Sequence, residues 1–305
     1  MIDVIIPVYN GKEFILKALQ SVAAQTLLPA SIIVVDDGST DDTYAILSEY
    51  AKESKIKIQI IQQENKGLSA ARNIGIKNSI EEFIAFLDAD DEWLPSKLEE
   101  QVLIFKHSNL ENLGIVYCGY ELIDKNNNLL KKNTLKIDPS IRGKIFEKIL
   151  PANKIISSGS GVLIKKECFK KVGYFDESLK ACEDWDMWLR LSQEYEFDYS
   201  NKILVKIRQH HQNMQKNKDF MLVNLITFYN KWTTLLDTNL IPIEKWRNSI
   251  LSLIVSNYCY FKKTTEVVMT RLSKESYHIF FGNKKSIYVD LFFFIIKRIF
   301  SKIWK

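Results

Sequence analysis

Short apolar runs of strand length alternate with helix-length amphipathic segments through the first half of the chain. Val4–Val8, Ile32–Val35, Ile56–Ile61 and Phe83–Leu87 are near-continuous apolar runs, as expected of strands covered by helices on both faces. Between them, Glu13–Ala24 has apolar residues at helical spacing, and Asp41–Lys52 follows the cap residues Ser39-Thr40. Ser69–Ser79 follows Gly67, and Pro95 stands where a first helical turn tolerates it, ahead of Lys97–His107. This alternation predicts an α/β fold with an open, mostly parallel sheet. Ligands of such sheets bind beyond the carboxyl ends of the strands.

The stretch from about 110 to 214 mixes the two periods. Ile115–Leu122, Gly161–Ile164 and Ile203–Arg208 read as strands, Lys166–Val172 and Asp184–Glu194 as helices, and Lys125–Asn128 as a polar turn. From Gln215 onward long helical segments take over, at about 218–237, 243–261 and 286–304. A boundary is expected near residue 214.

Composition narrows the class. With 305 residues, 46% hydrophobic and 26% charged, and only 11 Gly and 6 Pro, the chain can bury a large core, which excludes disordered and collagen-like classes. The four cysteines have neither CxxC nor Cys/His spacing, so no disulfide framework or zinc site is expected and a reducing cytoplasm fits. MIDVIIPVYN has no early basic residue and no cleavage site, and reads as a first strand rather than a secretory signal. Charge is uneven: 15 Lys and Arg stand against 6 Asp and Glu after residue 214, and 27 against 31 before it. A basic tail on an acidic body suggests an anionic partner for the tail.

Three of the strands end in polar clusters: Pro7-Val8-Tyr9-Asn10, Asp36-Asp37-Gly38-Ser39-Thr40-Asp41 and Asp88-Ala89-Asp90-Asp91. For Asp41 or Asp42 alone, a turn or cap role is explanation enough. Adjacent carboxylates at neighbouring strand ends repel, however, and a hard divalent cation relieves that repulsion. An Asp-x-Asp after a hydrophobic strand can give carboxylate oxygens to Mg²⁺ or Mn²⁺ and leave positions for substrate phosphates.

Four segments in order, Val4-Ile-Ile-Pro-Val-Tyr-Asn10, Val35-Asp-Asp-Gly-Ser-Thr-Asp41, Asn65-Lys-Gly-Leu-Ser-Ala-Ala-Arg-Asn73 and Phe86-Leu-Asp-Ala-Asp-Asp91, carry a family likeness. The chain resembles the inverting, metal-dependent nucleotide-sugar glycosyltransferases with the GT-A fold, of the bacterial surface-polysaccharide type. The likeness is strong over about 1–110, moderate to about 214 and absent beyond. It implies a GT-A-like, Rossmann-like sheet with flanking helices in a catalytic domain over 1–214. Residues 1–110 would form the nucleotide-binding half and 111–214 the acceptor-binding half, with a helical region over 215–305.

The resemblance assigns roles position by position. Tyr9, with Pro7 at the same strand end, would lie by the nucleotide base; Asp37 would accept a hydrogen bond from the base, with Asp36 beside it. Arg72 would help hold the nucleotide, a role suited to its planar fork of donors. Asp88 would reach the ribose or the metal, and Asp90 would ligate the Mn²⁺ or Mg²⁺ that bridges the diphosphate. Arg208 and His210, in Arg208-Gln-His210-His211, would close over the diphosphate and supply a further metal ligand. Glu183-Asp184-Trp185-Asp186-Met187-Trp188-Leu189-Arg190-Leu191 is similar to the family's acidic catalytic motif, with Asp184 as base and Glu183 the second candidate. Trp185, Trp188, Leu189 and Leu191 recur at roughly helical spacing and read as core anchors rather than a sugar platform. Ser157-Ser-Gly-Ser-Gly161 reads equally as a turn into a strand or as part of an acceptor site.

The function these features imply is hexosyl or hexosaminyl transfer from a nucleotide-sugar, a UDP-sugar first, to a lipid-linked glycan acceptor in O-antigen, capsule or lipooligosaccharide synthesis. The longest apolar run, Leu291–Ile296, is too short to span a bilayer. On a helix, residues 286–305 divide into a cationic stripe and an aromatic-aliphatic face, the form of an interfacial helix on the inner face of the cell membrane. The competing expectation is that this face docks on the protein itself or on a second copy, as in a homodimer. Nothing resembles a nucleic-acid module. Two rival functions are a non-catalytic glycan-binding scaffold and a sugar-phosphate nucleotidyltransferase; the second fits poorly, because Tyr9-Asn-Gly-Lys12 stands where a Gly-rich phosphate loop belongs.

Overall fold

The computed structural model describes residues 1–130, 137–155, 159–211 and 213–235. Contacts divide the chain into two compact units, Met1–Ile149 with Asn153–His211, and Leu150–Ala152 with the chain from Gln212 onward.

In the first unit, β1 (Ile2–Val8), β2 (Ser31–Asp36), β3 (Lys57–Gln62) and β4 (Phe83–Phe86) alternate with α1 (Ile15–Ala23), α2 (Thr43–Glu53) and α3 (Leu68–Asn78). These strands pair in parallel in the order β3-β2-β1-β4. The apolar runs thus form the expected α/β half-sheet. β1 is buried throughout because both of its faces are covered. Val4, Ile6 and Val8 share a core with Ile15, Leu19 and Val22 of α1, each worth about 1.5–3 kcal/mol when fully buried. On the opposite face α3 comes so close that a Cβ on Gly75 would stand 2.3 Å from Ile5 Cγ2, which only glycine allows. Asp3 is also buried in β1, where it accepts bonds from Ser31 Oγ (2.6 Å), Ser79 Oγ (2.8 Å) and the amides of Ile80 and Glu81. Burial pushes this carboxyl up, but those four donors outweigh it and hold it below the usual range.

The sheet continues through β5 (Glu92–Trp93), α4 (Lys97–His107), β6 (Leu113–Asp124), α5 (Phe146–Ile149), β7 (Leu163–Lys165), α6 (Glu167–Val172), α7 (Glu183–Glu194) and β8 (Glu196–Gln209). The eight strands form one open sheet, β3-β2-β1-β4-β7-β6-β8-β5. Its second half is mixed: β7 runs antiparallel between β4 and β6, β6 and β8 are parallel, and β5 is antiparallel to β8. β8 is longer than Ile203–Arg208, because exposed Asn201 and Lys202 interrupt its apolar pattern at a register shift against β6 without ending the strand. β5 is only two residues long and carries no periodicity, yet its pairing sets the site. With Glu92 opposite Lys206 and Trp93 opposite Val205, the end of β8 is brought to the loop after β4.

In the second unit, α8 (Lys218–Leu235) starts where helical periodicity predicts a helix over 218–237. Asn217 supplies its cap, accepting the Phe220 amide at 3.1 Å. The helices expected over 243–261 and 286–304 lie outside the described residues. No described helix is long and apolar enough to cross a membrane.

Candidate active site

The ends of β1, β2 and β4 supply the first wall. Asn10 takes a left-handed conformation, φ +49°, which asparagine tolerates. Its amide donates to Ser39 Oγ at 2.9 Å, and its side-chain oxygen accepts the Thr40 amide at 2.8 Å, so the loops after β1 and β2 are laced together. Tyr9 is 53% exposed at this rim, open to stack on a base. Pro7 is buried within β1 opposite Val35, where it shapes the strand end. Asp36 is fully buried and accepts the Ser39 amide at 3.0 Å. Asp37 accepts the amides of Lys66 and Gly67, each at 2.8 Å, and a bond from Gln63 Nε2. These donors tie down the loop leading into α3 and leave Asp37 about one of its four lone-pair sites. Asp41 follows the simpler expectation: it accepts the Thr43 amide and hydroxyl at the start of α2.

Arg72 lies at the centre. Its guanidinium is fully buried and donates through Nη1 to Glu183 Oε1 and through Nη2 to Asp88 Oδ1, both at 2.8 Å. Burial works against its charge, but Asp88 and Glu183 outweigh burial and keep it protonated. One face lies 5.3 Å from the Phe175 ring centroid. Another is so close to Gly159 that a Cβ there would stand 2.9 Å from Nη2. Each outer arm of Arg72 thus holds a carboxylate, and the side chain joins the acidic motif of α7 to the loop after β4.

Cys182, at φ +62°, turns the chain into α7, with Glu183 and Asp184 in its first turn, where the helix dipole favours carboxylates. Glu183 is buried against Arg72; Asp184 is half-buried and accepts its neighbour's amide, Trp185 N, at 2.7 Å. Burial first, then the charge of Glu183, push the Asp184 carboxyl up to about 7 against the pull of Arg72. Trp185 and Trp188 are buried, as core anchors should be; the Trp185 indole donates to Ile149 O at 2.8 Å.

At the other end of the loop, His210 Nε2 and Asp90 Oδ2 stand 2.9 Å apart, and the Phe14 ring lies 5.0 Å from the imidazole. Arg208 stands beneath the loops at 90–92 and 124–127. It is fully buried, with Nε donating to Asp90 O (2.8 Å), Nη1 to Asp124 O (3.1 Å) and Asn127 Oδ1, and Nη2 to Glu92 Oε1. Expected to close over a diphosphate, it here holds the loops at 90–92 and 124–127, because β5–β8 pairing draws it under them. Among the described residues no three His, Cys, Asp or Glu side chains gather as a ready metal cluster. Asp88 is turned to Arg72, which leaves Asp90 and His210 as two adjacent donors. One carboxylate and one imidazole suit a divalent ion that takes its other oxygens from substrate and water.

The sequence model of the family described as Glycosyl transferase family 2 matches residues 3–173. The chain belongs to glycosyltransferase family 2. An uncharacterized glycosyltransferase of Rickettsia typhi is 37% identical over 211 residues, covering 69% of this chain and 64% of that protein. Chondroitin synthase of Escherichia coli is 28% identical over 232 residues, 73% of this chain and 32% of that one. The chain thus spans less than two thirds of the length of these curated relatives. The S. aureus TarS crystal structure matches with a TM-score of 0.59 at 19% identity, over 95% of this chain and 54% of that one. TarS 1–349 in complex with UDP-GlcNAc matches at 0.57 and 19%, over 91% and 86%. These structures share the GT-A fold of this family 2 chain.

Three further residues of this family 2 protein stand at the site without a role assigned from sequence. Ser160 Oγ donates to Asp91 Oδ2 at 2.6 Å and accepts the Asp88 amide at 3.1 Å. Asp91 also accepts the Arg208 amide at 3.0 Å; burial and then Asp90 and Asp88 push its carboxyl well up. Phe14 packs on His210 and lies 4.9 Å below Arg208. The Asp90-Asp91 doublet was a visible signal for Asp91, whereas Ser160 sits in a Gly/Ser stretch that reads equally as a turn or as part of an acceptor site.

Proposed function

We propose that this chain transfers a sugar from a nucleoside-diphosphate-sugar donor, a UDP-sugar, to a hydroxyl of a surface-glycan acceptor with inversion at the anomeric carbon. The observation that carries the reading is the Arg72 bridge, which sets the start of α7 against Asp88, two residues from the Asp90–His210 pair. The Asp184 carboxyl, pushed up to about 7, is thereby held near the loop that carries Asp88 and Asp90. The family, and the UDP-GlcNAc complex of a fold neighbour, support the donor class.

In this reading Asp184 takes the proton from the acceptor hydroxyl, a task suited to a base whose pKa lies near working pH and typically worth about 10²–10⁴-fold. The hydroxyl oxygen forms the new bond to the anomeric carbon from the face opposite the diphosphate. The old bond breaks and its electron pair leaves on the nucleoside diphosphate. Tyr9 offers a stacking surface to the base, and Asp37 its remaining lone pair. Asp90 and His210 would hold Mn²⁺ or Mg²⁺, which neutralises charge developing on the leaving diphosphate. Glu183, paired with Arg72, holds the base in place rather than acting as one. Residues 1–211 carry this machinery, and the basic segment 286–305 is assigned to an anionic lipid surface on its sequence pattern.

A panel of nucleotide sugars with Mn²⁺, read by thermal shift, tests the donor assignment. Stabilisation by UDP-sugars above other nucleotides is the expected result; no shift with any nucleotide sugar would sink it.

A further inference from the structure

The 3-10 turn Gly159–Gly161 lies within the core, ahead of β7, and Gly159 O accepts the Val162 amide at 3.4 Å. The next three carbonyls, of Ser160, Gly161 and Val162, accept side chains from β5, α4 and β6. Ser160 O accepts the Trp93 indole N–H at 2.8 Å, and Gly161 O accepts Gln101 Nε2 at 2.9 Å and the Cys118 thiol at 3.3 Å. Val162 O accepts Lys97 Nζ at 3.4 Å. Three of the four donors also hold one another, since Lys97 Nζ donates to Gln101 Oε1 at 2.8 Å and sits 4.1 Å over the Trp93 ring; Gln101 Nε2 further reaches Val116 O at 2.9 Å.

We propose that Trp93, Lys97 and Gln101 are positioning residues for sugar transfer, acting through the Gly159–Gly161 turn on Asp88, Asp91 and Arg72. The turn touches the site at two points. Ser160 Oγ joins the Asp88 amide to the Asp91 carboxylate, and Gly159 lies against the Arg72 guanidinium that spans Asp88 and Glu183. Displacement of the turn therefore moves the loop after β4 and the bridge to α7 together. Lys97 and Gln101 are fully buried, and burial draws the ammonium down to about 8. A buried lysine is expensive where an aliphatic side chain would pack, which is understandable if the donor, and not the volume, is what the place requires.

The inference rests on the transfer reaction proposed above, and the test separates the two. Lys97→Met removes one donor at near-constant volume; Trp93→Phe removes the indole N–H while keeping a ring under Lys97. Asp3→Asn, a buried site at the far end of β1, is the control for lost stability alone. Hydrogen exchange is read at the Asp88 amide, and kcat/KM for UDP-sugar turnover is read per folded molecule well below the melting temperature. Both clamp variants should speed Asp88 exchange and lower kcat/KM by about tenfold each, the size of one lost hydrogen bond, with the control moving neither. Unchanged exchange at Asp88 in both variants overturns the clamp, and faster exchange with unchanged kcat/KM overturns its role in turnover. Should the wild type turn over no donor, the reaction is wrong and the clamp is judged on exchange alone.

Discussion

Arg72 and Glu183, 111 residues apart in sequence, meet at 2.8 Å in a buried ion pair, and the same guanidinium holds Asp88 at 2.8 Å. Removing one partner of such a set leaves carboxylates buried without their cation. Arg72→Met is expected to cost about 3–5 kcal/mol of folding stability by urea denaturation. Arg72→Lys should not restore it, since one ammonium cannot reproduce a fork directed at two carboxylates. Gly159→Ala, which brings a Cβ to 2.9 Å from Nη2, should lower stability by a smaller amount.

The raised Asp184 carboxyl makes two statements about pH. As a base it must be ionised, so kcat/KM should fall with unit slope as pH drops through about 7. Folding runs the other way. Between its ordinary 3.8 and about 7 the folded chain keeps a proton that the unfolded chain has lost, so this group's stabilising effect is full below about 4 and fades as pH rises to 7. Asp184→Asn should remove both effects, and melting temperatures across pH 4–8 beside a pH–rate profile check them.

Lys97 titrates at about 8 in the folded protein against an ordinary 10.5. Through that window the unfolded chain holds a proton the folded chain has released, so stability contributed by this residue rises with pH. Wild type minus Lys97→Met melting temperature should therefore increase from pH 7.5 to 9. A flat difference would place the ammonium in a wetter setting.

The parallel half of the sheet was legible because buried strands between helices leave near-continuous apolar runs. Asp90, His210, Glu183 and Asp184 were legible as candidates, since carboxylates and imidazole at element ends stand out from a turn background, and the structure sets Asp90 beside His210 and Glu183 against Arg72. The destinations of Arg72 and Arg208 were not. Both arginines depend on long-range placement: Arg208 is drawn under its loops by a two-residue strand, and Arg72 spans elements over a hundred residues apart. The clamp on the Gly159–Gly161 turn was hidden for the same reason, since Lys97 and Gln101 read as ordinary polar positions of an amphipathic helix. β7 was expected as a strand, but its antiparallel direction follows from pairing and leaves no trace in periodicity.

Residues 286–305 carry the lipid assignment on charge and aromatic pattern alone. Deleting them should release the protein from vesicles containing anionic lipid, most completely at high salt, where the remaining attraction is screened. Vesicle co-sedimentation reads the result, and undiminished binding by the truncated chain would place the anchor elsewhere.

UDP release from UDP-sugars by wild type and Asp184→Asn, side by side with Mn²⁺ and with UDP affinity measured on both, tests the transferase reading most directly. The wild type should release UDP, and the variant should bind UDP as tightly while turnover falls by about 10²-fold or more. Equal turnover by the two proteins, or no UDP binding by either, would contradict it.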